Sequence, residues 1–499
     1  MRKYKIAVTH PASAYETGEL AKMFLPPEQF ETEEREENEA PDLSRSFSLL
    51  KADCPEGDEP FGEAENGMIT DITPAPEEFI YKGPVEEKDI KKIWKNAVKR
   101  GVYSALSRDC GKTLPWGILT GVKPVKIVRE LEDRGLSERE ISEYMKNYYF
   151  VSDEKTDLLM EILRVQRPYN RADRGFSKKA GIYLGIPFCP TRCVYCSFTS
   201  NVAKEGEIDR YLEALHSEID YVSSAMRKVG TGIETFYIGG GTPTTLNEGQ
   251  LDGLLTKIQS SFDLDGIEEF TVEAGRPDTI NKGKLEIIKS HGIERISINP
   301  QSMNARTLEA IGRKHSPEDI ISAYETAREV GIKRINMDLI AGLPGEEPDD
   351  FKKTLEIVGE MNPENVTVHT LALKRASKLR EEDRDYNYRE AERLSAMVED
   401  SFKSLSAGGC RPYYLYRQKY MAGNFENVGW SKPGAECIFN IRTMDEKQDT
   451  IALGAGGISK RYFAGENRIE RAANVSNYEI YIDRLDEMKE RKNRLFGWF

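Results

Sequence analysis

The sequence predicts an α/β protein, in which a partial barrel of six strand–helix units lies between a mostly helical N-terminal domain and a small α+β C-terminal domain. From Gly181 to about residue 407, short β-branched runs alternate with amphipathic segments. Such alternation builds parallel sheets, because parallel neighbours need a crossover connection. The segments on either side have other patterns, and 499 residues are too many for one ordinary domain.

The N-terminal domain, residues 1–170, is predicted to be helical after an opening strand, KYKIAV. Apolar residues recur at helical spacing in four later segments. At the start of the third, Ser137 and Glu140 have the spacing of a capping box. The four segments are EKDIKKIWKNAVKRGVYSAL, PVKIVRELEDRG, SEREISEYMKN and SDEKTDLLMEILRVQ.

The negative charge of the chain is concentrated in one segment. Residues 28–66 hold fourteen Asp or Glu against three Lys or Arg, a net of −11 out of −13 for the whole chain. This segment is poor in apolar residues and is interrupted by Pro and Gly, so we predict that it is solvated or loosely ordered. A special acidic binding role is the alternative.

The barrel domain, residues 171–407, contains six predicted strands with helices in the gaps. In folds of this kind the chemistry gathers at the carboxyl ends of the strands, where the connecting loops begin. The strands are IYLGI (182–186), IETFYI (233–238), EEFTVE (268–273), RISIN (295–299), RINMDLI (334–340) and ENVTVHTLAL (364–373).

The C-terminal domain, residues 408–499, begins with the aromatic run RPYYLYRQKYMAGNFENVGW. A glycine-rich segment, TIALGAGGISKRYF, follows, and a helical segment ends the sequence. We expect this domain to cover the substrate.

Composition excludes several classes of protein. No stretch approaches the roughly 18 uninterrupted apolar residues of a membrane span. The N-terminal residues lack the apolar run of a secretory signal, so we expect a cytoplasmic protein. No basic face is present for duplex nucleic acid.

Three of the seven cysteines, Cys189, Cys193 and Cys196, lie within eight residues, directly after the first barrel strand. Three thiolates on one tight loop can bind an iron–sulfur cluster and leave one iron without a protein ligand, open to substrate chemistry. A structural zinc ion is the alternative, but it needs a fourth ligand, and the nearest histidines, His216 and His291, lie in predicted helices. The other four cysteines are scattered, which argues against a disulfide framework.

Further polar motifs follow the later strands. The glycines of GGGTPT at 239–244 allow backbone N–H groups to approach a ligand closely, although a simple tight turn is the alternative. A carboxylate can bind an ammonium group, Arg can bind a carboxylate, and Gln with Asp suits hydroxyl groups. Surface salt bridges or helix caps are the alternative roles. The polar residues at these strand ends are Glu273, Gln301, Arg313 and Asp338.

The motifs CPTRCVYCSF, GGGTPT, TVEAGRPDT, INPQSMNARTLEAIGRKH and INMDLIAGLPGE resemble the radical S-adenosylmethionine (SAM) superfamily. Within it they resemble the oxygen-independent coproporphyrinogen III dehydrogenases (oxidases) and their relatives, the heme chaperones. PWGILTGVKPVK, VTVHTLALKRAS and the aromatic run extend the likeness to the long form, which has a helical N-terminal domain.

The resemblance implies a radical SAM partial barrel with a [4Fe–4S] cluster on Cys189, Cys193 and Cys196. One electron from the reduced cluster would cleave S-adenosylmethionine to a 5′-deoxyadenosyl radical. It also implies a set of residues that line S-adenosylmethionine sites, some of which serve a second molecule in the family. These are Tyr183, Tyr195, Gly240, Gly241, Thr242, Glu273, Gln301, Arg313, Asp338, Ala372 and Ile458.

The implied activity is the oxidative decarboxylation of two propionates of coproporphyrinogen III to vinyl groups, which gives protoporphyrinogen IX. Phe198 stands where the dehydrogenases have a further Cys, and chaperone-type relatives also lack that Cys. A heme chaperone is therefore the first alternative, and another radical SAM enzyme that acts on a porphyrin is the second.

A substrate with four propionates needs cationic partners and apolar walls. For the cations we predict Arg192, Lys374, Arg375 and Arg417, with a solvated loop as the alternative for Lys374 and Arg375. We also expect a flavodoxin- or ferredoxin-type electron donor and a monomer. The predicted walls are Tyr413, Tyr414, Tyr416, Tyr420 and Trp430, with an ordinary half-buried strand as the alternative.

Overall fold

The structure is a computed structural model, and it forms two compact units, Met1–Leu163 and Arg164–Phe499. No helix among the described residues is long and apolar enough to cross a membrane. The structure describes residues 3–8, 11–25, 29–34, 47–52, 67–70, 87–170, 179–196, 201–202, 206–372, 391–418 and 425–498.

The first unit contains the predicted helices and a small sheet. The sheet has the order β2-β1-β3-β4, with β1 (Lys3–Val8), β2 (Phe30–Glu34), β3 (Phe47–Ala52) and β4 (Gly67–Thr70). The helices are α1 (Pro11–Ala21), α2 (Glu87–Cys110), α3 (Pro124–Asp133), α4 (Glu138–Asn147) and α5 (Asp153–Gln166), whose last three residues belong to the second unit.

The capping box predicted from the sequence begins α4. The backbone N–H of Ser137 donates to Glu140 Oε2 at 2.7 Å, and the N–H of Glu140 donates to Ser137 Oγ at 3.4 Å. These bonds give hydrogen-bond acceptors to two backbone N–H groups at the helix start that have no partner within the helix.

The acidic segment 28–66 differs from its prediction in part. It contains β2 and β3, which pair with β1 on its two sides. Backbone pairing with a neighbouring strand thus overrides the low strand propensity of the charged residues. The rest of the segment, apart from Gln29, lies outside the described residues.

The second unit is built on one sheet of eleven strands in the order β11-β12-β10-β9-β8-β7-β6-β5-β13-β14-β15. The six central strands are parallel and confirm the predicted partial barrel. They are β5 (Lys179–Ile186), β6 (Gly232–Gly240), β7 (Glu269–Gly275), β8 (Arg295–Ile298), β9 (Arg334–Ala341) and β10 (Asn365–Thr370).

Helices connect these strands and cover the sheet, because parallel neighbours need crossovers. The long ones are amphipathic, as α6 shows by burying Tyr211, Leu215 and Ile219. The helices are α6 (Glu207–Val229), α7 (Glu248–Ser261), α8 (Lys282–Ser290), α9 (Ala305–Ala310), α10 (Pro317–Val330), α11 (Pro348–Met361) and α12 (Ala391–Ala407).

Residues after 408 extend the same sheet at both edges. The strands β11 (Arg411–Tyr416) and β12 (Asn427–Ser431) continue it beyond β10. At the other edge, β13 (Thr450–Leu453) runs parallel to β5 and is followed by β14 (Ile458–Phe463) and β15 (Arg468–Ala473). The predicted three-domain division at 170/171 and 407/408 stays a prediction.

Three further helices complete the second unit. They are α13 (Ile438–Asp445), α14 (Tyr478–Asp483) and α15 (Leu485–Phe496). The sequence predicts the last two as one helix, but the backbone at Arg484 leaves the helical region and separates them.

The helix α13 lies against the amino ends of the barrel strands. The carboxylate of Glu269, the first residue of β7, accepts the backbone N–H groups of Ile438 and Phe439 at 3.0 and 3.2 Å. Glu234, near the start of β6, binds Arg442 through two bonds of 2.7 Å. These buried contacts close the amino end and leave the carboxyl end for the site.

Candidate active site

The loop after β5 holds the three clustered cysteines, which form no disulfide bond among the described residues; Cys193 is buried, and Cys189 and Cys196 are partly exposed. A turn closes the loop, since the backbone N–H of Cys196 donates to the carbonyl of Cys193 at 3.2 Å. Burial raises the pKa of the Cys189 thiol, and the thiols of its two neighbours act in the same direction. The fold therefore holds the three thiols near one another.

The alternative of a structural zinc ion needs a fourth ligand beside this loop. Within the described part of the chain, no three His, Cys, Asp or Glu side chains are placed to hold one metal ion. His291 instead contacts Asp252 at 2.9 Å and Gln259 at 2.7 Å. An iron–sulfur cluster spreads its thiolate ligands over several iron atoms, so the sulfur atoms need not meet at one point.

The glycine motif after β6 packs directly on the cysteine loop. The backbone N–H of Thr242 donates to the carbonyl of Phe188 at 2.8 Å, and its hydroxyl lies 3.4 Å from Cys189 Sγ. A Cβ atom on Gly241 would lie 2.5 Å from the Phe188 carbonyl oxygen, and Gly240 has a φ of +113°. Only glycine fits this close approach, which lets the motif pack against the cysteine loop. Its role in binding a ligand stays a prediction.

Glu273 lies on β7 toward the mouth of the barrel, where the hydroxyl of Tyr237 donates to its Oε1 at 2.6 Å. Burial raises the pKa of this carboxyl to about 7; the Tyr237 bond opposes this shift, and the nearby Asp338 reinforces it. A carboxylate held in this way is suited to bind a cation that enters the site, because such a partner would relieve the cost of its burial.

Gln301 is a buried residue after β8 with a left-handed backbone, at a φ of +69°. Its backbone N–H donates to the carbonyl of Asp338 at 2.9 Å, and its carbonyl accepts the N–H of Ile340 at 2.9 Å. Two bonds to β9 thus hold a conformation that costs a non-glycine residue energy, a feature common at ligand sites.

Arg313, in the loop after α9, reaches back to the cysteine loop. Its guanidinium donates to the carbonyl of Asn299 at 2.9 Å and to the hydroxyl of Tyr195 at 3.3 Å. Tyr195 lies between Cys193 and Cys196 in the chain, so this contact places a positive charge beside the thiols.

Asp338, on β9, has a histidine neighbour that the sequence analysis missed. His369 Nε2 lies 3.7 Å from Asp338 Oδ1, and His369 Nδ1 lies 3.2 Å from the hydroxyl of Tyr416. Burial favours a higher pKa for Asp338, but bonds from His369 and Asn336 outweigh it and leave the pKa below its ordinary value. His369 is the fourth residue of VTVHTLALKRAS and lies next to the end of β10. This strand-end position is the signal in the sequence that could have identified it.

The barrel interior also holds polar atoms that suit a bound polar molecule. Among the described residues, the side-chain oxygens of Thr271, Ser297 and Asn299 are buried and accept or donate no hydrogen bond. Buried polar groups without partners are rare in folded proteins and often mark a ligand or water site.

The remaining predicted residues are placed as follows. Tyr183, on β5, lies beside the stacked rings of Tyr237 and Phe439, with its ring centroid 6.3 Å from each of theirs. Ala372 is half-buried after β10, and Ile458 is exposed on β14. The roles expected for these residues, and for the whole S-adenosylmethionine set, stay predictions.

The predicted substrate residues differ in their exposure to solvent. Arg192 is exposed on the cysteine loop, whereas Arg417 is buried beside Glu426. Burial lowers the pKa of Arg417 to about 10, although Glu426 acts in the opposite direction. Tyr413, Tyr414 and Trp430 are buried and Tyr416 is half-buried, and their role as substrate walls stays a prediction. Lys374, Arg375, Tyr420 and Phe198 lie outside the described residues.

Comparison with known proteins identifies the family. Residues 183–358 match the radical SAM superfamily. The chain is also 39% identical over 416 residues to the oxygen-independent coproporphyrinogen-III oxidase-like protein HemZ of Bacillus subtilis, and the match covers 83% of each chain. The chain belongs to the radical SAM superfamily. Within it, the chain groups with the coproporphyrinogen III oxidase-like proteins, which confirms the predicted resemblance.

Other radical SAM relatives are similar over a shorter region. The heme chaperone HemW of Bacillus subtilis is 30% identical, over 61% of this chain and 76% of its own. The oxygen-independent coproporphyrinogen III oxidase of Pseudomonas aeruginosa is 27% identical, over 62% and 67%. The solved coproporphyrinogen III oxidase of Escherichia coli shares the fold, with a TM-score of 0.51 and 24% identity over 62% of this chain and 70% of its own.

The radical SAM superfamily uses a [4Fe–4S] cluster and S-adenosylmethionine. The residues of this chain fit both groups. Three neighbouring thiols are available for the cluster, and the positive charge of Arg313 lies beside them. The unpartnered interior oxygens of Thr271, Ser297 and Asn299 suit a polar ligand.

Proposed function

We propose that this protein catalyses the oxygen-independent oxidative decarboxylation of two propionates of coproporphyrinogen III, giving protoporphyrinogen IX. The 39% identity to the coproporphyrinogen-III oxidase-like protein, over 83% of both chains, is the observation that carries the proposal. The convergence of the cysteine loop, the glycine motif and Glu273 at one mouth supports it.

The cysteines Cys189, Cys193 and Cys196 would hold the cluster in this proposal. When bound, the cluster and S-adenosylmethionine would supply a 5′-deoxyadenosyl radical able to remove a hydrogen atom from a propionate. Conversion of each propionate to a vinyl group also releases carbon dioxide and one electron, so the proposal requires an external electron acceptor. The first electron comes from a donor of the flavodoxin or ferredoxin type.

The polar residues at the mouth would bind and orient S-adenosylmethionine. The Glu273 carboxylate suits its ammonium group, and the Arg313 guanidinium suits its carboxylate. Asp338, held by Asn336 and His369, has a carboxylate in fixed position for ribose hydroxyls. For the other residues of the predicted set, the resemblance alone supports a role in lining the S-adenosylmethionine site. These are Tyr183, Tyr195, Gly240, Gly241, Thr242, Gln301, Ala372 and Ile458.

The closed amino end of the barrel would protect the reaction from water. The rings of Tyr237 and Phe439 stack with centroids 4.6 Å apart beneath the mouth, and Tyr183 lies beside both. An aromatic floor that keeps solvent out favours radical chemistry, because it prevents side reactions with water.

The substrate needs cations for its four propionates. Arg192 is exposed on the cysteine loop, next to the proposed cluster ligands, and is our first candidate for binding one. Arg417 is a weaker candidate, because it is buried and Glu426 already lies close to it.

The second candidate function is that of a heme chaperone. The 30% identity to the heme chaperone HemW and the presence of Phe198 favour it. A chaperone of this kind would bind heme and would not couple cleavage of S-adenosylmethionine to a loss of carboxyl groups.

The two functions are separated by anaerobic incubation of the reduced protein with coproporphyrinogen III and S-adenosylmethionine. The oxidase is expected to release 5′-deoxyadenosine in step with a mass loss of two carboxyl groups. Asp338→Ala should weaken both together, because one positioned radical serves both events. Asp252→Ala, a surface carboxylate on α7, is the control and should leave both unchanged.

Stable heme binding with no decarboxylation under these conditions would contradict the oxidase proposal and support the chaperone. A product with an added methyl group or an opened ring would instead indicate another radical SAM reaction on a porphyrin.

A further inference from the structure

Arg276 is a buried residue directly after β7 whose guanidinium is held from both sides. It is 3% exposed. Its Nε and Nη2 donate to the two carboxylate oxygens of Asp278 at 2.9 and 2.8 Å. The planar fork of an arginine matches a carboxylate in this bidentate arrangement, which fixes the orientation of the third nitrogen.

The third nitrogen of Arg276 points to the cysteine loop. Its Nη1 donates to the backbone carbonyl of Thr191 at 3.1 Å and to the Thr191 hydroxyl at 2.9 Å. Thr191 lies midway between Cys189 and Cys193. Arg276 thus ties the loop after β5 to the loop after β7, across the intervening strand β6.

The same nitrogen lies 3.9 Å from Cys193 Sγ. The Asp278 carboxylate binds the opposite edge of the guanidinium, so the edge that faces the sulfur carries the N–H groups. Arg313 adds a second positive charge near Cys193. The thiolate of this cysteine would therefore face fixed cations in a buried environment, where charges interact strongly.

We propose that Arg276 is a positioning residue that fixes the conformation of the cysteine loop and raises the reduction potential of the cluster. Net charge and hydrogen bonds to the sulfur atoms set the potential of an iron–sulfur cluster. The Arg276–Asp278 pair turns its positive end and an N–H donor toward the sulfur. This end stabilises the reduced cluster more than the oxidised cluster, because the reduced form carries one more negative charge. The proposal rests on the cofactor of the superfamily and not on decarboxylation.

The test is a redox titration of the reconstituted cluster in Arg276→Gln, in which electron paramagnetic resonance measures the reduced cluster at each potential. At a fixed solution potential we expect the ratio of reduced to oxidised cluster to fall about tenfold, which is a one-electron shift of about 59 mV. Arg276→Lys keeps the charge without the fork and should lie between Arg276→Gln and the wild type.

The matched control is Arg328→Gln. Arg328, on α10, also forms a bidentate pair with a carboxylate, that of Glu364. The other hydrogen bonds of its guanidinium go to Tyr324 and to the loop after α10, and none of those described goes to the cysteine loop. Its cluster should keep the wild-type potential. An unchanged potential in Arg276→Gln would overturn the proposal.

A second measurement decides the outcome if Arg276→Gln does not take up a cluster. Amide hydrogen exchange over residues 189–196 in the cluster-free protein should be faster in this variant than in the wild type and in Arg328→Gln. Wild-type exchange in this segment would overturn the proposal, because the loop would then not depend on Arg276. Failure of decarboxylation alone would affect neither measurement.

Discussion

The two ends of the barrel strands are built in opposite ways. At the amino end, α13 covers the opening and the buried charges are paired, as in Glu234 with Arg442 and Glu269 with Arg295. The carboxyl end carries the three clustered thiols, close-packed glycines and the partly exposed carboxylates of Glu273 and Asp338.

This difference separates stability from function along the same strands. Paired charges at the amino end satisfy one another and need no ligand. The thiols and carboxylates at the carboxyl end can instead bind a cofactor or a ligand, as expected for a fold whose reactions occur where the strands end. Changes at the two ends should therefore have different consequences.

The largest effect is expected from the cysteines of the carboxyl end. Replacing Cys189, Cys193 or Cys196 with Ala should abolish the visible absorption of the anaerobically reconstituted protein, because the thiolates bind iron jointly. Cys54→Ala and Cys110→Ala, outside the barrel, should retain it. Reconstituted protein that holds zinc and no iron would contradict this assignment.

The next effect is expected at the amino end. Arg442→Leu leaves Glu234, which is 1% exposed, as an unpaired buried charge, and should lower the free energy of unfolding by about 3–5 kcal/mol. Urea unfolding of the cluster-free protein measures it. Adding Glu234→Gln should restore part of the loss, and Lys403→Ala in an exposed pair on α12 should cause no measurable change. Wild-type stability in Arg442→Leu would show that the amino end is not the stabilising one.

A smaller effect is expected from the glycines. Gly241→Ala should destabilise the protein by about 1–3 kcal/mol, because its Cβ would overlap the Phe188 carbonyl. It should also weaken S-adenosylmethionine binding in a calorimetric titration. Gly253→Ala, in α7 with open space around the new Cβ, should instead stabilise by roughly 0.5–1 kcal/mol. Equal effects of the two substitutions would remove the distinction between site and scaffold.

The smallest effect is a pH dependence at Glu273. The pKa of this carboxyl is raised from 4.5 to about 7, so its contribution to stability is complete below about pH 4.5 and is lost as the pH rises through 7. Binding of an ammonium ligand should strengthen over the same rise, since it needs the ionised form. Glu273→Gln should flatten both profiles, whereas Glu360→Gln, an exposed residue on α11, should not. Unchanged profiles in Glu273→Gln would assign the titration to another group.

Much of the fold could be predicted from local patterns in the sequence. The six barrel strands, the four helices after residue 87 and the capping box at Ser137 depend on residues close together in the chain. The cysteine spacing and the strand-end positions of Glu273 and Asp338 are also local signals. They predicted the superfamily and its cofactors.

Features that depend on distant residues could only be seen in the tertiary structure. The strands β2 and β3 form because β1 pairs with both, despite the charge around them. The contact of Arg276 with Thr191 spans 85 residues, and that of His369 with Tyr416 spans 47. The sequence by itself determined the repeating units and the residue types at their ends, since both follow from local spacing. Only the tertiary structure decided which of those ends lie together, because the order of the strands in the sheet brings together side chains that no local pattern connects.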